Sequence, residues 1–204
     1  MCSSDLSLSC VKGNRVLFDR LDLSIGAGQA YQITGPNGAG KTSLLRILCG
    51  LSRPEEGEVF WQGQPIDSDP GEFRSALSYI GHAPGIKLDL TARENLMFAA
   101  ALLPCANGVT VEEALGRVGL QLASDLICRH LSAGQHRRVA IARLYLTDAK
   151  LWILDEPLAA IDQDGIRTVS DLIDAHLDRG GLAVLTSHQA LDLRRHPIHE
   201  LNIG

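Results

Sequence analysis

Residues 35–42 constrain this chain more than any other stretch, because they read GPNGAGKT and fit the pattern G-x-x-x-x-G-K-[ST]. An alternating apolar run over 30–34 leads in and a leucine-rich helical pattern over 43–49 leads out, which gives the strand, loop and helix context of that pattern. Backbone N–H groups around glycines can close on phosphate oxygens, and the start of the helix adds its positive dipole end. We therefore predict that phosphate is bound by Gly35, Pro36, Asn37, Gly38, Ala39, Gly40, Lys41, Thr42 and Ser43.

Two side chains at the end of this loop are predicted to carry chemistry. Lys41 is expected to reach the β- and γ-phosphates of a nucleotide, and the hydroxyl of Thr42 is expected to bind Mg²⁺. The alternative is a Gly-rich turn that only caps a helix, and the strand and helix patterns on both sides disfavour it.

The composition limits the class of protein. The chain has 204 residues, of which 45% are hydrophobic, so it can bury a sizeable core in one domain. Its net charge of -5 disfavours nucleic acid as a general partner. No run approaches the roughly 18 apolar residues of a membrane span, so we expect a soluble, intracellular protein. The five cysteines include no C-x-x-C pair, which indicates neither a disulfide framework nor a zinc site.

Hydrophobic periodicity and turn residues predict the other elements. Antiparallel strands are expected over 6–10 and 16–25, before the strand that leads into the phosphate loop. Thr91 is predicted to cap a helix together with Glu94, and Pro104 to end that helix. We further predict a strand over 58–63 and buried strands over 77–81 and 182–186. Helices are predicted over 91–103, 111–118 and 164–178. The pattern over 120–130 is ambiguous.

Two further stretches place polar groups where a nucleotide needs them. Residues 131–135 read LSAGQ and precede a helical pattern, so the free N–H groups at its start predict a second anion site. The apolar strand over 151–154 is followed by Asp155 and Glu156. An acid at the carboxyl end of a strand beside a phosphate loop suits a Mg²⁺ ligand, and its neighbour can orient water. His188 stands at the carboxyl end of the strand over 182–186.

In this order, the motifs resemble those of the ATP-binding subunits of ABC transporters over essentially the whole chain. The resemblance implies an α/β fold of the P-loop NTPase (ABC ATPase) type, with a mostly parallel central sheet, an N-terminal antiparallel β subdomain and a helical insert. It implies a single domain over 1–204, with the insert at about 84–134. It also implies ATP and Mg²⁺ as cofactors, with Thr42 and Asp155 as the metal ligands.

The resemblance assigns roles to individual residues. Glu156 is similar to the catalytic carboxylate of the family and would act with Lys41 and with His188, which looks like the switch histidine. Residues 159–162 look like the D-loop, which would bring Asp162 to the nucleotide. Residues 131–135 are similar to the signature L-S-G-G-Q, with alanine for its first glycine. That signature would bind nucleotide through Ser132, Ala133, Gly134 and Gln135.

Two positions depart from the family pattern. His82 replaces a glutamine that senses Mg²⁺ or water; we interpret this histidine as adapted to that role, with a merely structural histidine as the alternative. The family often stacks adenine on an aromatic residue upstream of the phosphate loop, yet none lies between Met1 and Leu17. Lys12 or Val11 would occupy that region, and the base should be held loosely.

Residues 32–35, 50–54 with 57–63, and 79–87 give a closer resemblance to the ATPases of haem exporters used in bacterial cytochrome c maturation. This resemblance implies a second copy of the chain in a head-to-tail ATP sandwich, integral membrane subunits as partners, and no nucleic acid. It also implies a peripheral position on the cytoplasmic face of the bacterial inner membrane. The loop over 81–90, with its exposed-looking apolar Ile86 and Leu88, would contact a membrane subunit; the alternative is a loop whose apolar residues pack into the helical insert.

Two alternative functions stay open. The first is the ATPase subunit of an ABC transporter for another small substrate. The second is a soluble ABC-type ATPase acting on the ribosome or on DNA, which usually carries tandem ATPase halves or long coiled-coil insertions; this chain has one phosphate loop and neither insertion. Direct haem binding by Cys105 or His82 is disfavoured, because no Cys-Pro or C-x-x-C-H pattern is present.

Overall fold

The structure, a computed structural model, describes residues 2–102, 108–189 and 191–204. Its strands are β1 (Cys2–Lys12), β2 (Arg15–Ile25), β3 (Ala30–Thr34), β4 (Glu56–Trp61), β5 (Gln64–Pro65), β6 (Leu77–Ile80), β7 (Leu151–Asp155), β8 (Leu182–Thr186) and β9 (Ile198–Asn202). Its α-helices are α1 (Lys41–Leu48), α2 (Pro70–Ala76), α3 (Ala92–Leu102), α4 (Val111–Arg117), α5 (Ala133–Ala142) and α6 (Gln163–Asp178). Short 3₁₀ turns cover Gln121–Ala123, Cys128–His130 and Arg143–Leu146.

The central sheet is parallel, in the order β6-β7-β8-β3-β9. Every residue of β7 and β8 is buried, as expected for parallel strands covered on both faces. Alternate residues of β7 belong to different apolar clusters: Trp152 and Leu154 pack with the helices α3 to α6, whereas Leu151 and Ile153 pack with α1 and the second sheet. The sheet therefore separates two hydrophobic layers.

The second sheet is antiparallel, in the order β2-β1-β4-β5. Its buried residues Phe18, Leu23 and Val59 belong to the same apolar cluster as Leu44 and Leu45 of α1. This sheet thus lies over the helix that follows the phosphate loop. The predicted fold, a P-loop α/β architecture with a mostly parallel central sheet and an N-terminal antiparallel subdomain, is confirmed.

Most predicted elements are present, and the differences have physical causes. The strand predicted over 77–81 is only half-buried except at Ile80, because β6 forms an edge of the sheet. The ambiguous stretch over 120–130 forms 3₁₀ turns. Three elements were not predicted, α2, β5 and β9: α2 is short and buries only Phe73, β5 has two residues, and β9 is a half-buried edge strand. These carry weak periodic signals.

The predicted cap of α3 is confirmed. The Thr91 N–H donates to Glu94 Oε2 at 2.8 Å, and the Glu94 N–H donates to Thr91 Oγ1 at 3.1 Å. The predicted end of this helix, Pro104, lies outside the described residues, as does Cys105. Within the ranges that the structure describes, no helix has the length and apolar character needed to cross a bilayer.

The edge strand β9 closes directly onto the phosphate loop. Ile203 follows β9, and its N–H donates to the carbonyl oxygen of Thr34 at 2.9 Å. A Cβ placed on Gly35 would lie 2.5 Å from the carbonyl oxygen of Ile203, a distance that real Cβ atoms do not adopt. Position 35 therefore admits only glycine as long as the chain after β9 packs here, and its φ of 141° adds a second reason.

One buried histidine lies in the helical layer. The imidazole of His176, with 4% exposed, stacks on the indole of Trp152, with ring centroids 3.7 Å apart and planes 6° apart. Its Nε2 lies 3.2 Å from the carbonyl oxygen of Leu182, to which the neutral ring can donate. Burial lowers the pKa of His176 from 6.5 to about 4. The folded chain thus keeps this ring neutral at a pH where the unfolded chain protonates it.

We expect the free energy of unfolding to fall as the pH falls from about 6.5 toward 4. In this window the unfolded chain binds a proton at His176 that the folded chain does not, so protons favour unfolding. The two pKa values give a loss of roughly 2 kcal/mol from this group between about pH 7.5 and about pH 5. Urea denaturation at several pH values measures the effect.

His176→Gln keeps a donor for the Leu182 carbonyl but cannot titrate, so its stability should depend less on pH than that of the wild type. His130→Gln is the matched control, because His130 is exposed, and it should keep the wild-type pH dependence. Equal pH dependence in the two variants would contradict the assignment to His176.

Candidate functional site

The carboxyl edge of the parallel sheet gathers most of the predicted site residues. The phosphate loop follows β3, His82 follows β6, Asp155 ends β7, and His188 follows β8. Because parallel strands end at the same edge, these side chains converge on one cavity of about 480 Å³. The cavity is lined by Lys12, Arg15, Leu17, Asn37, Gly38, Gly40, Lys41, Thr42, Ser43, His82, Asp155, Glu156 and His188.

The phosphate loop presents a helix start to this cavity. Gly40, with a φ of 104°, precedes α1, and the Leu44 N–H is bonded to the Gly40 carbonyl oxygen at 2.8 Å. The N–H groups of residues 41–43 lie in the first turn, where a helix offers no carbonyl acceptor of its own. The loop therefore provides backbone donors and a positive dipole end, the arrangement that an anionic phosphate group needs.

Lys41 is held by the loop itself. Its Nζ donates to the carbonyl oxygen of Gly35 at 2.6 Å and of Pro36 at 3.2 Å. A phosphate oxygen is a stronger acceptor for an ammonium group than a neutral carbonyl. The amine is consequently pre-positioned at the loop and can exchange these carbonyls for a phosphate.

Asp155 is the anchor of the site. It is 2% exposed and accepts two hydroxyl hydrogen bonds, from Thr42 Oγ1 to Oδ2 at 2.9 Å and from Thr186 Oγ1 to Oδ1 at 2.8 Å. Asp155 and Thr186 are neighbours in the register of β7 and β8, which explains the second bond. The carboxylate thus connects the start of α1 with the ends of two strands.

The oxygen donors of Thr42 and Asp155 fit Mg²⁺, which prefers carboxylate, hydroxyl and water oxygens. In the part of the chain that the structure describes, there is no group of three or more His, Cys, Asp or Glu side chains that could hold a metal ion. Mg²⁺ commonly binds to one or two protein groups and takes its remaining ligands from phosphates and water.

Glu156 lines the cavity, and its backbone has a strained conformation. Its φ is 53°, in the left-handed region that residues other than glycine rarely adopt. Its N–H donates to Thr186 Oγ1 at 3.0 Å, and its Oε2 accepts from the His188 N–H at 3.2 Å. These bonds hold the carboxylate at the cavity wall, while the imidazole of His188 stays 63% exposed with its Nε2 3.6 Å from Glu156 Oε1. Such strain is characteristic of functional positions.

The LSAGQ stretch does not line this cavity. The Gln135 N–H donates to Ser132 Oγ at 3.2 Å and the Ser132 N–H donates to Gln135 Oε1 at 2.8 Å, a capping box at the start of α5. A Cβ on Gly134 would lie 2.4 Å from the carbonyl oxygen of Ala160, so the predicted D-loop packs against the backbone here. The predicted nucleotide contacts outside the phosphate loop that are absent from the cavity lining are Ser132, Ala133, Gly134, Gln135 and Asp162; within the loop, Gly35, Pro36 and Ala39 do not line it either.

Asp162 has a local role in the structure. Its Oδ1 accepts from the Gly165 N–H at 2.9 Å, which caps α6, and from Arg138 Nη2 at 2.6 Å. The Gly165 hydrogen bond, with help from the Arg138 guanidinium, lowers the pKa of Asp162 below its usual range. Arg138 belongs to α5, so the D-loop is connected to the helix that carries the LSAGQ stretch.

The open end of the cavity carries cations where the family often has an aromatic residue. Lys12, Arg15 and Leu17, from the hairpin of β1 and β2, line it, whereas Val11 does not. A Cβ on Gly38 would lie 3.8 Å from Arg15 Nη1, so this guanidinium lies beside the phosphate loop. Arg15 and Thr186 were not predicted from the sequence. The pairing of β7 with β8 would have identified Thr186, but no local pattern marks Arg15.

The family model "ABC transporter" matches residues 18–159. The chain is 49% identical to the cytochrome c biogenesis ATP-binding export protein CcmA of Methylococcus capsulatus, over 92% of this chain and 91% of that protein. It is 44% identical to CcmA of Aliivibrio fischeri, over 97% of each. It is 47% identical to CcmA of Pseudomonas putida, over 97% of this chain and 94% of that protein.

Solved structures share the fold. A bacterial ABC transporter cassette solved as a dimer is 24% identical, with 100% of this chain and 95% of that chain covered and a TM-score of 0.81. An ATP-binding cassette dimer bound to ADP and phosphate is 23% identical, with 93% and 88% covered and a TM-score of 0.79. At these identities the likeness concerns the fold. From the sequence matches, the chain belongs to the ABC transporter family as an ATP-binding subunit, within the group of CcmA proteins.

Proposed function

We propose that this chain is the ATP-hydrolysing subunit of the exporter that serves cytochrome c biogenesis, with haem as the cargo. The observation that carries the ATPase proposal is the convergence of the phosphate loop, Asp155, Glu156 and His188 on one cavity. The closeness to CcmA proteins supports the pathway. The cargo follows only from resemblance, because cargo contacts would lie in a membrane subunit.

Within the cavity, the chain's own residues divide the work of phosphoryl transfer. The loop over 35–43 holds the phosphates through backbone N–H groups, and Lys41 supplies a cation to them. Thr42 and Asp155 would hold Mg²⁺, which neutralises charge on the β- and γ-phosphates when bound. Glu156 orients and polarises the attacking water, and His188, whose exposed imidazole lines the same cavity, holds the γ-phosphate in line.

A second copy of the chain completes each site in this proposal. The LSAGQ stretch does not line its own cavity, and Ser132 is exposed at the start of α5. Ser132 Oγ accepts from the Gln135 N–H and still has its own O–H to donate, so it can bind a phosphate of a head-to-tail partner without losing its cap. Two shared sites in a closed pair would open after hydrolysis and so drive membrane subunits.

We further propose one ATP-binding domain over 1–204 with a helical insert at about 84–134. Its partners would be integral membrane subunits resembling CcmB and CcmC, with no nucleic acid. The chain would then lie at the cytoplasmic face of the bacterial inner membrane. A groove of about 520 Å³ beside the loop over 81–90 supports this docking, and it is lined in part by Ile86, Lys87, Phe98, Leu102 and Arg143.

The residues that line this groove show which substitution best tests the docking of a membrane subunit. Ile86, expected to be exposed, is half-buried and packs on the helical layer, whereas Phe98 and Leu102 are 49% and 71% exposed. Lys87 Nζ lies 4.7 Å from the ring centroid of Phe98. Phe98 is therefore an apolar, accessible contact whose replacement leaves the core untouched.

Lys41→Ala should weaken ATP binding by about tenfold or more, because it removes a charge-assisted hydrogen bond worth roughly 1.5–3 kcal/mol. Titration with a labelled ATP analogue measures the affinity. Arg46→Ala is the control, since Arg46 is an exposed cation on the same helix whose guanidinium donates to Ser52 Oγ and does not line the cavity. Wild-type affinity and turnover in Lys41→Ala would refute the role of the phosphate loop.

Glu156→Gln should keep MgATP binding but lower turnover by about 10²–10⁴, because an amide cannot accept the proton of the attacking water. The closed, ATP-bound pair should accumulate, and light scattering with MgATP would detect it. Glu72→Gln, an exposed acid on α2, should behave as the wild type. Undiminished hydrolysis by the Glu156 variant would remove that residue from its proposed role.

Phe98→Asp should retain ATP binding but reduce assembly with the membrane subunits, because it places a charge in an apolar contact. Leu122→Asp is the matched control, since Leu122 is fully exposed and does not line the groove. Co-purification from detergent extracts gives the first measurement, and haem attachment to c-type cytochromes gives the second.

Equal assembly of the two variants would contradict docking at this groove. Normal c-type cytochromes in a strain that lacks this chain, with no second copy, would exclude the haem-export role and leave the ATPase mechanism standing.

A further inference from the structure

A buried arginine, Arg137, and a half-buried one, Arg143, connect α5 and the turn after it to the loop that carries His82. Arg137 is 5% exposed and donates from Nη1 to the carbonyl oxygen of Gly81 at 3.0 Å and from Nη2 to that of His82 at 2.7 Å. Arg143, just after α5, donates from Nη2 to the carbonyl oxygen of Pro84 at 3.1 Å. Three carbonyls of one short loop segment are thus bonded to one helix.

Neither guanidinium has a carboxylate within ion-pair distance. Among the residues that the structure describes, Arg137 and Arg143 form no ion pair within 4.0 Å, and desolvation lowers the pKa of both. Asp155 and Glu156 act on Arg137 electrostatically, but its hydrogen bonds go to the loop carbonyls. A buried guanidinium that loses these acceptors is left with unsatisfied donors, so the loop backbone and α5 are hard to separate while Arg137 stays buried.

The connection lies between two functional elements. Ser132, at the start of α5, is about five residues from Arg137, which at roughly 1.5 Å per residue is a distance of about 7–8 Å along the helix. His82 has its carbonyl bonded to Arg137 and its side chain in the cavity with Glu156. Arg137 itself does not line that cavity.

We propose that Arg137 is a positioning residue that makes the start of α5 and the His82 loop move as one body, with Arg143 as a second attachment. This rests on the proposed function, in which the start of α5 binds the nucleotide of a second copy. A displacement of α5 when the pair closes then carries the His82 backbone with it. The signature of one site and the histidine of the other site are thereby coupled within each chain.

Arg137→Met separates this role from a merely structural one. Methionine keeps an unbranched apolar stem, needs no hydrogen-bond partner of its own, and has no donor for the carbonyl oxygens of Gly81 and His82. We expect the midpoint of thermal unfolding to stay close to that of the wild type. The MgATP affinity should stay within about twofold of the wild type, since the residues that line the cavity are unchanged. We also expect amide hydrogen exchange at residues 81–87 to accelerate at least fivefold, with the rest of the chain unchanged, in the full-length protein without nucleotide.

ATP turnover of the variant in the assembled complex should fall at least tenfold, at an unchanged KM for MgATP. Arg137→Lys keeps the charge but has a shorter reach and lacks the planar fork that spans the carbonyls of Gly81 and His82, so it should give intermediate exchange and turnover. Arg74→Met replaces an exposed arginine on α2 and should match the wild type in every measurement.

Unchanged exchange at 81–87 in Arg137→Met would overturn the proposal, as would a loss of protection throughout the chain. If Arg137→Met does not fold, the comparison of Arg137→Lys with the wild type decides, and equal exchange at 81–87 overturns the proposal. Hydrogen exchange without nucleotide tests the attachment independently of ATP hydrolysis. If the wild-type complex hydrolyses no ATP, that result contradicts the proposed function and leaves the test of the attachment valid.

Discussion

The buried carboxylate of Asp155 is the constraint on which the arrangement of the site depends. A charged group with 2% exposure is tolerated only with hydrogen-bond donors, and the hydroxyls of Thr42 and Thr186 supply them. Those two bonds fix the start of α1 against the ends of β7 and β8. The same Thr186 hydroxyl accepts from the Glu156 N–H, so the strained turn that aims Glu156 depends on the same cluster.

A second set of contacts radiates from α5. Arg137 and Arg143 bond the His82 loop, and Arg138 bonds Asp162 at the start of α6. The helix that begins with the LSAGQ stretch is consequently connected to two loops that flank the nucleotide cavity. Asp155 connects the elements on the side of the phosphate loop, and the arginines connect the elements on the side of α5.

The sequence predicted what depends on local pattern and missed what depends on tertiary neighbours. The phosphate loop, Asp155, Glu156 and His188 each follow an apolar strand, and parallel strands must end together, so their convergence could be predicted. Thr186 and Arg137 act through partners 31 and 56 residues away, and Arg15 lies beside Gly38 of the phosphate loop, so no local periodicity marks them. The edge strand β9 was missed because a half-buried strand carries too little apolar alternation.

Because Gly35 contacts Ile203, the conformation of the first glycine of the phosphate loop depends on the packing of the last residues of the described chain. The conformation of the phosphate loop and the docking of β9 on β3 depend on the same contact. The ordering of the loop and the docking of the strand are therefore linked equilibria. By mass action, nucleotide that binds the ordered loop also favours the docked strand, and a strand that detaches lowers the apparent affinity for nucleotide by the same factor. An insertion near residue 203 that detaches β9 would therefore lower the affinity for nucleotide, although the inserted residues do not contact the nucleotide site.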